Sequence, residues 1–133
     1  MISANAVWVD HSRFVGLAGS RHSIVMDGGS SEKSASSPME LVLIALCGCT
    51  ATDVTSILQK KREPFTALEV RAEADQAPEP PKIYTHIRLI YKVRGNVTKK
   101  AMEDAVRLSK EKYCSVSAML GKTATITFKI EYE

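Results

Sequence analysis

A chain of 133 residues, 44% hydrophobic and 25% charged, can bury a real apolar core and has the make-up of a soluble single-domain protein. Eighteen Lys and Arg against fifteen Asp and Glu leave a net charge of only +3, scattered along the sequence, which argues against nucleic acid as a partner. The N-terminal "MISANAVWVD" lacks a basic n-region and a long apolar h-region, and the longest apolar run, 41–47, falls far short of the roughly twenty residues that span a bilayer, so a cytoplasmic location without membrane contact is expected.

The first third alternates. "NAVWVD", "RFVGLAG" and "HSIVMDG" are short, β-prone and separated by Gly and Ser, which predicts an antiparallel meander. Residues 28–37, "GGSSEKSASS", read as a flexible polar linker. The helix "SPMELVLIALCGCTATDVTSILQKKREP" follows. Ser37 is its N-cap, Pro38 takes the tolerated first position, and Glu40 completes a capping box. Lys60, Lys61 and Arg62, the densest basic run, end it ahead of Pro64 and complement the helix dipole. Apolar residues cover much of its circumference, so it is expected as a buried central helix under a sheet.

Two long alternating strands come next, "ALEVRAEAD" and "YTHIRLIYKVRG", joined by "QAPEPPK". "TKKAMEDAVRLSKEKY" is amphipathic, with Thr98 as N-cap and Ala101, Ala105, Val106 and Leu108 inward. "CSVSAMLG" adds a short helix ending at Gly121, and "TATITFKIEYE" is the last strand. Without repeats or an internal boundary, residues 1–133 read as a single α+β domain in the order β-β-β-α-β-β-α-(α)-β.

Three cysteines cannot all pair within one chain, and in a reducing compartment they indicate chemistry or packing rather than a disulfide scaffold. Helical residues advance about 100° each, so Cys47 and Cys49 point about 200° apart and cannot bridge. Cys47, beside Leu43, Ile44 and Thr50, reads as a small buried hydrophobe. Cys49 shares its face with Val42, Ala45, Leu46, Thr52 and Asp53, and the neighbouring Gly48 leaves room for another group to approach. Cys114 falls where one helix ends and a short one begins, a place that favours a thiolate. Residue types alone leave two readings open: a Cys49/Cys114 redox pair, or three unrelated core cysteines.

No metal or cofactor is expected. His11, His22 and His86 share no ligand spacing with the cysteines, and there is no C-x-x-C, Gly-rich phosphate loop or G-x-S-x-G elbow. His86, next to Ile87 on a strand, reads as a solvated-face residue.

With "SPMELVLIALCGC" on the first helix and "KEKYCSVSAML" around Cys114, the sequence resembles the OsmC/Ohr family, the osmotically induced and organic-hydroperoxide-resistance proteins, and within it the YhfA-like branch. Element order and length agree over the whole chain. The resemblance implies an OsmC-like fold in an intertwined homodimer, with active sites near the subunit interface. It further implies a thiol peroxidase in which the helix cysteine, Cys49, attacks the peroxide and Cys114 resolves the sulfenic acid as a disulfide, which dithiols such as lipoyl groups reduce. The family's glutamate, ten residues before the helix cysteine, is Met39 here; Glu40 is one residue later and faces away from Cys49. The arginine that holds the thiolate corresponds to Arg21 or Arg13. Asp53, one turn below Cys49, would oppose ionisation of a nearby thiol.

Three functions follow as expectations. The first is a dithiol peroxidase reducing organic hydroperoxides in an apolar pocket walled by Leu17, Met39, Leu46, Met119 and Leu120. The second is the same dimer binding a small apolar or electrophilic ligand with little turnover. The third is a structural dimer with packing cysteines. A homodimer is common to all three, because so apolar a helix needs more cover than one small sheet supplies. In the first reading Cys114, flanked by Lys112, is an accessible resolving thiol.

Overall fold

Polar, turn-forming residues reverse the N-terminal stretch twice. In the computed structural model, which describes residues 1–133, each reversal contains a side-chain-bearing residue of positive φ, His11 at 43° and Arg21 at 69°. The strands between them, β1 (Ala4–Asp10), β2 (Arg13–Ala18) and β3 (Ser23–Asp27), pair antiparallel in the order β1-β2-β3, with Val7 opposite Val15 and Val15 opposite Val25. This meander belongs to a first compact unit, Met1–Leu43; the second is Ile44–Glu133.

The segment after β3, expected as a flexible linker, is anchored. Asp27, 6% exposed, accepts hydrogen bonds from Ser12 Oγ (2.7 Å), the Gly29 amide (2.9 Å), and the Ser34 amide (3.0 Å) and hydroxyl (3.1 Å). Those donors, the Ser12 hydroxyl first among them, hold its carboxyl far below the usual carboxylate range. The serines that made the segment look like a linker are what the carboxylate needs.

Helix α1 (Pro38–Lys60) starts as its sequence dictates. The Ser37 amide donates to Glu40 Oε1 (2.8 Å) and the Glu40 amide to Ser37 Oγ (3.1 Å), a reciprocal capping box. It stops where Arg62 turns left-handed (φ 57°), with Glu63 N–H donating to the Leu58 carbonyl and Arg62 N–H to that of Gln59, a Schellman arrangement built without glycine. Within one chain only the stripe Leu46, Thr50, Val54 and Leu58 is buried, and Ile44 is 56% exposed. An 18-residue window of α1 has a mean hydropathy of 1.9 and is long and apolar enough to cross a membrane, by length and composition; 22% of it is buried. Counting consecutive apolar residues understates this, because Gly48, Thr50 and Thr52 interrupt the run while adding no charge.

In the second unit β4 (Phe65–Gln76) pairs antiparallel with β5 (Tyr84–Gly95), and β5 pairs parallel with β6 (Thr125–Tyr132), giving the order β4-β5-β6. The central strand carries the core: Ile87, Leu89, Tyr91 and Val93 are each 3% exposed or less. Gly95 ends β5 at φ 115°, where a Cβ would lie 2.6 Å from the Pro64 carbonyl oxygen.

The parallel pairing demands a crossover, and the remaining helices supply it. Helix α2 (Lys99–Leu108) is capped by Thr98, which accepts from Ala101 N–H at 3.3 Å. It buries Ala101, Met102, Ala105 and Val106, and the stripe continues to Ser109, fully buried. Leu108, expected inward, lies beside that stripe and is 36% exposed. The α-helix does not run on to Tyr113: residues Ser109–Tyr113 form one π-helical turn, and α3 (Ser115–Leu120) follows.

Candidate thiol site

The site is built by α1, β5 and the π turn. Thr50 occupies the polar position of the α1 stripe, one residue after Cys49, and a hydroxyl with 1% exposure needs partners. It has two: the Tyr91 phenol at 2.7 Å and Ser109 Oγ at 2.8 Å. Ser109 donates its own proton to Asp53 Oδ2 at 2.9 Å. Four side chains from three elements thus form one continuous hydroxyl chain, and no buried side-chain nitrogen or oxygen in the structure lacks a partner.

The π turn then delivers Cys114. Its amide donates to the Ser109 carbonyl (2.8 Å), so the residue held by Thr50 also fixes the backbone of the thiol. Cys114 is the N-cap of α3; its Sγ accepts from Ser117 N–H at 3.4 Å, and Ser117 Oγ donates back to its carbonyl at 3.0 Å.

Burial, at 3% exposure, pushes the Cys114 thiol up; the hydrogen bonds from Ser117 pull it down, and a hydrogen bond and charge from Cys49 push it up again. The Cys49 and Cys114 thiols are therefore near enough for each to oppose the other's ionisation, although their sequence positions are far apart. Cys114 is not the accessible thiol that its flanking lysine suggested. Lys112 sits over the Tyr113 ring, 5.3 Å from its centroid, and net burial outweighs the favourable helix start.

Cys47 is half-buried, and its thiol too is pushed up by burial. Tyr91 is 1% exposed and packs edge-on to Phe128, at 6.2 Å between centroids. Its phenol is pushed up to about 12, chiefly by burial; the Thr50 hydrogen bond acts the other way, and negative charge on Cys114, Cys47 or Asp53 adds to the rise. No three His, Cys, Asp or Glu side chains converge as metal ligands.

The profile of the family described as "OsmC-like protein" matches residues 29–129. This chain belongs to the OsmC family. The chain is similar to Protein YhfA of Escherichia coli K12, 46% identical over 131 residues, which are 98% of this chain and 97% of YhfA. The crystal structure of a hypothetical protein from Aquifex aeolicus superposes with a TM-score of 0.86 at 30% identity, covering 100% of this chain and 98% of the other. An organic hydroperoxide resistance protein from Elizabethkingia anophelis gives a TM-score of 0.77 at 12% identity, covering 100% and 96%, a likeness of fold alone. The α+β architecture read from the sequence is the one these OsmC-like folds share.

The other residues singled out in this OsmC-family sequence are spread over β2 and the turn after it, α1, β5 and α3. Arg13 and Arg21 belong to the first unit; Arg13 is committed to Asp10 through Nε (2.6 Å) and Nη2, whereas Arg21 lies in the turn after β2. Leu17 and Arg21 line a shallow cavity of about 330 Å³ with Ser3 and Asn5. Met39 is 37% exposed in the first turn of α1, Leu46 is fully buried, Met119 is 66% exposed and Leu120 half-buried. His86 reaches Thr127 Oγ1 at 3.0 Å on the sheet surface.

Apart from the adjoining residues and the backbone of α1 itself, nothing within the chain comes within 4 Å of a Cβ built on Gly48. Sequence reasoning missed the Thr50–Ser109–Tyr91 cluster. The signal was there: Thr50 continues a Leu46–Val54–Leu58 stripe and Ser109 an Ala101–Ala105 stripe, and a hydroxyl at a core position requires a hydroxyl or carbonyl opposite.

Proposed function

We propose that the chain is a cytoplasmic dithiol peroxidase that reduces organic hydroperoxides in oxidative-stress defence, working as a homodimer without cofactor or metal. The influence of Cys49 on the Cys114 thiol supports this reading, since two thiols so far apart in sequence act on each other's ionisation. The fold shared with an organic hydroperoxide resistance protein supports the substrate class.

In the first step the Cys49 thiolate attacks the outer peroxide oxygen. The O–O bond breaks, Cys49 becomes a sulfenic acid, and the alkoxide leaves as an alcohol after taking a proton. Cys114, as thiolate, then attacks the sulfenic sulfur; a disulfide forms and water leaves once a proton is supplied. An external dithiol, such as a lipoyl group, reduces the disulfide and is itself oxidised. Of the two arginines, Arg21 is favoured as the thiolate's partner because Arg13 is engaged by Asp10.

The second copy would cover the apolar surface of α1 left open in one chain, including the open side of Gly48. A second reading, a ligand-binding dimer with little turnover, is favoured by Met39 in place of the family's glutamate and by the buried, raised Cys114.

The test is to mix reduced protein with cumene hydroperoxide and, separately, hydrogen peroxide, counting free thiols over time and trapping with dimedone. Rapid loss of two thiols per chain with the organic peroxide is expected. Cys49→Ser should lose the reaction, and Cys114→Ser should yield a dimedone adduct at Cys49. Equal, slow loss from all three cysteines would replace the peroxidase reading with the binding one.

A further inference from the structure

Leu108 and Tyr113 are large apolar side chains left exposed, and both face one place. With Ile57, half-buried on α1, they wall a cleft of about 320 Å³ between α1, the end of α2 and the π turn. Ligand pockets run from about 300 to 1,000 Å³, so a cleft of this size suits a one-ring or short-chain molecule.

The charges along the cleft are unequal. Lys60 and Lys61 both line it, and Lys60 has no hydrogen-bond or ion-pair partner in the chain. Lys61 pairs with Asp104 at 3.5 Å, but that carboxylate also receives Lys100 at 3.4 Å and Arg107, three cations for one anion. Against them the cleft has a single carboxylate of its own, Asp53, whose Oδ2 already accepts the Ser109 hydroxyl. Ser56 adds a hydroxyl without a partner in the chain. Apolar walls beside surplus positive charge and free donors complement an amphipathic anion. An inorganic anion would leave Ile57, Leu108 and Tyr113 uncovered, and a neutral hydrocarbon would leave Lys60 unpaired. The cleft also lies off the face open to a second copy. Asp53 and Ile57 are turned about 140° and 180° around α1 from Gly48, so a partner seated on the open Gly48 side does not fill it.

We propose that this cleft is a binding site for a small apolar carboxylate, whose body covers Ile57, Leu108 and Tyr113 and whose charge is held by Lys60 with the Ser56 hydroxyl. Neither thiol takes part. A failed peroxidase test therefore leaves the site standing, and a failed binding test leaves the peroxidase reading standing.

The experiment titrates the reduced chain with phenylbutyrate and, separately, with its neutral amide, following backbone amide shifts by proton–nitrogen correlation NMR. Saturable shifts grouped at residues 53–61, 108 and 113 are expected for the carboxylate, with a Kd of about 1 mM or tighter. The amide should bind about 3- to 5-fold more weakly, as one exposed ion pair allows, and added salt should weaken only the carboxylate. Lys60→Met keeps the apolar stem and should bring carboxylate binding down to the level of the amide, whereas Lys60→Arg should retain it. Leu108→Glu, which puts a negative charge in the wall, should abolish binding of the carboxylate. Equal binding of carboxylate and amide by the parent, shifts grouped elsewhere in the chain, or no saturation by about 10 mM overturns the proposal. So does a Leu108→Glu variant that sediments as a monomer where the parent is a dimer, since the occupant of the cleft is then a second copy. If Leu108→Glu does not fold, Lys60→Met decides, because that side chain is exposed and unpartnered.

Discussion

Thr50→Val is the sharpest perturbation of the core of the second unit, because it changes hydrogen bonding at nearly constant shape. Thr50 is 1% exposed and its hydroxyl holds both Tyr91 (2.7 Å) and Ser109 (2.8 Å). Ser109 keeps its bond to Asp53 after the change and loses one interaction, worth about 1 kcal/mol. Tyr91, itself 1% exposed, is left with a buried phenol stripped of its hydroxyl partner, a desolvation cost of about 1–3 kcal/mol. The expected loss is therefore about 2–4 kcal/mol, a sizeable part of the roughly 5–15 kcal/mol that holds a domain of this kind together. Urea unfolding followed by far-ultraviolet circular dichroism, at one fixed protein concentration, measures it. Tyr91→Phe in the same background removes the stranded hydroxyl, so the double variant should be at least about 1 kcal/mol more stable than the sum of the single losses predicts. A Thr50→Val loss under about 1 kcal/mol, or additivity within roughly 0.5 kcal/mol, would refute the network as the organiser of this core.

Gly95→Ala should cost about 2–4 kcal/mol and lower the melting temperature by roughly 10 °C, since φ is 115° and the new Cβ would meet the backbone of residues 64–66 at 2.6–2.9 Å. Asp27→Asn should lower stability at neutral pH. The folded carboxyl lies below its unfolded value, so its stabilisation is present above about pH 4 and is lost as pH falls further. The gap in melting temperature between parent and variant should then be flat near neutrality and close under acid; a gap that widens under acid would contradict this. Cys47→Ala should cost about 1 kcal/mol, in keeping with a half-buried side chain, and leave the peroxide-dependent loss of the other two thiols unchanged.

What could be read from the sequence was mostly local. The capping box of Ser37 and Glu40, the Thr98 cap and the period-two strands are fixed by neighbours within a few residues, and each lies where its pattern placed it. The π turn could not be read that way. "SKEKY" continues the helical pattern of α2, and what widens the helix there is tertiary, since Ser109 must meet Thr50 and Asp53 from α1 while its carbonyl receives the Cys114 amide. The same distance effect hid the burial of Cys114, whose sequence neighbours are polar but which the fold leaves only 3% exposed. The pairing of Cys49 with Cys114 was one of two readings that residue types left open, and only the family resemblance favoured it, because no spacing rule links residues that far apart.

Pairing of those two thiols would tie the redox state of the molecule to its mechanical persistence. A bridge between Cys49 and Cys114 would close a loop of roughly 65 residues, and in the chain-entropy account such a closure withdraws about 4 kcal/mol of freedom from the unfolded ensemble. The square of states closes both ways. The fold concentrates two thiols that would seldom meet in a free coil, and the bridge, once made, slows or prevents the loss of the fold by the same amount. An oxidised population should therefore outlast a reduced one under heat, protease or denaturant, even before any reductant arrives to open it.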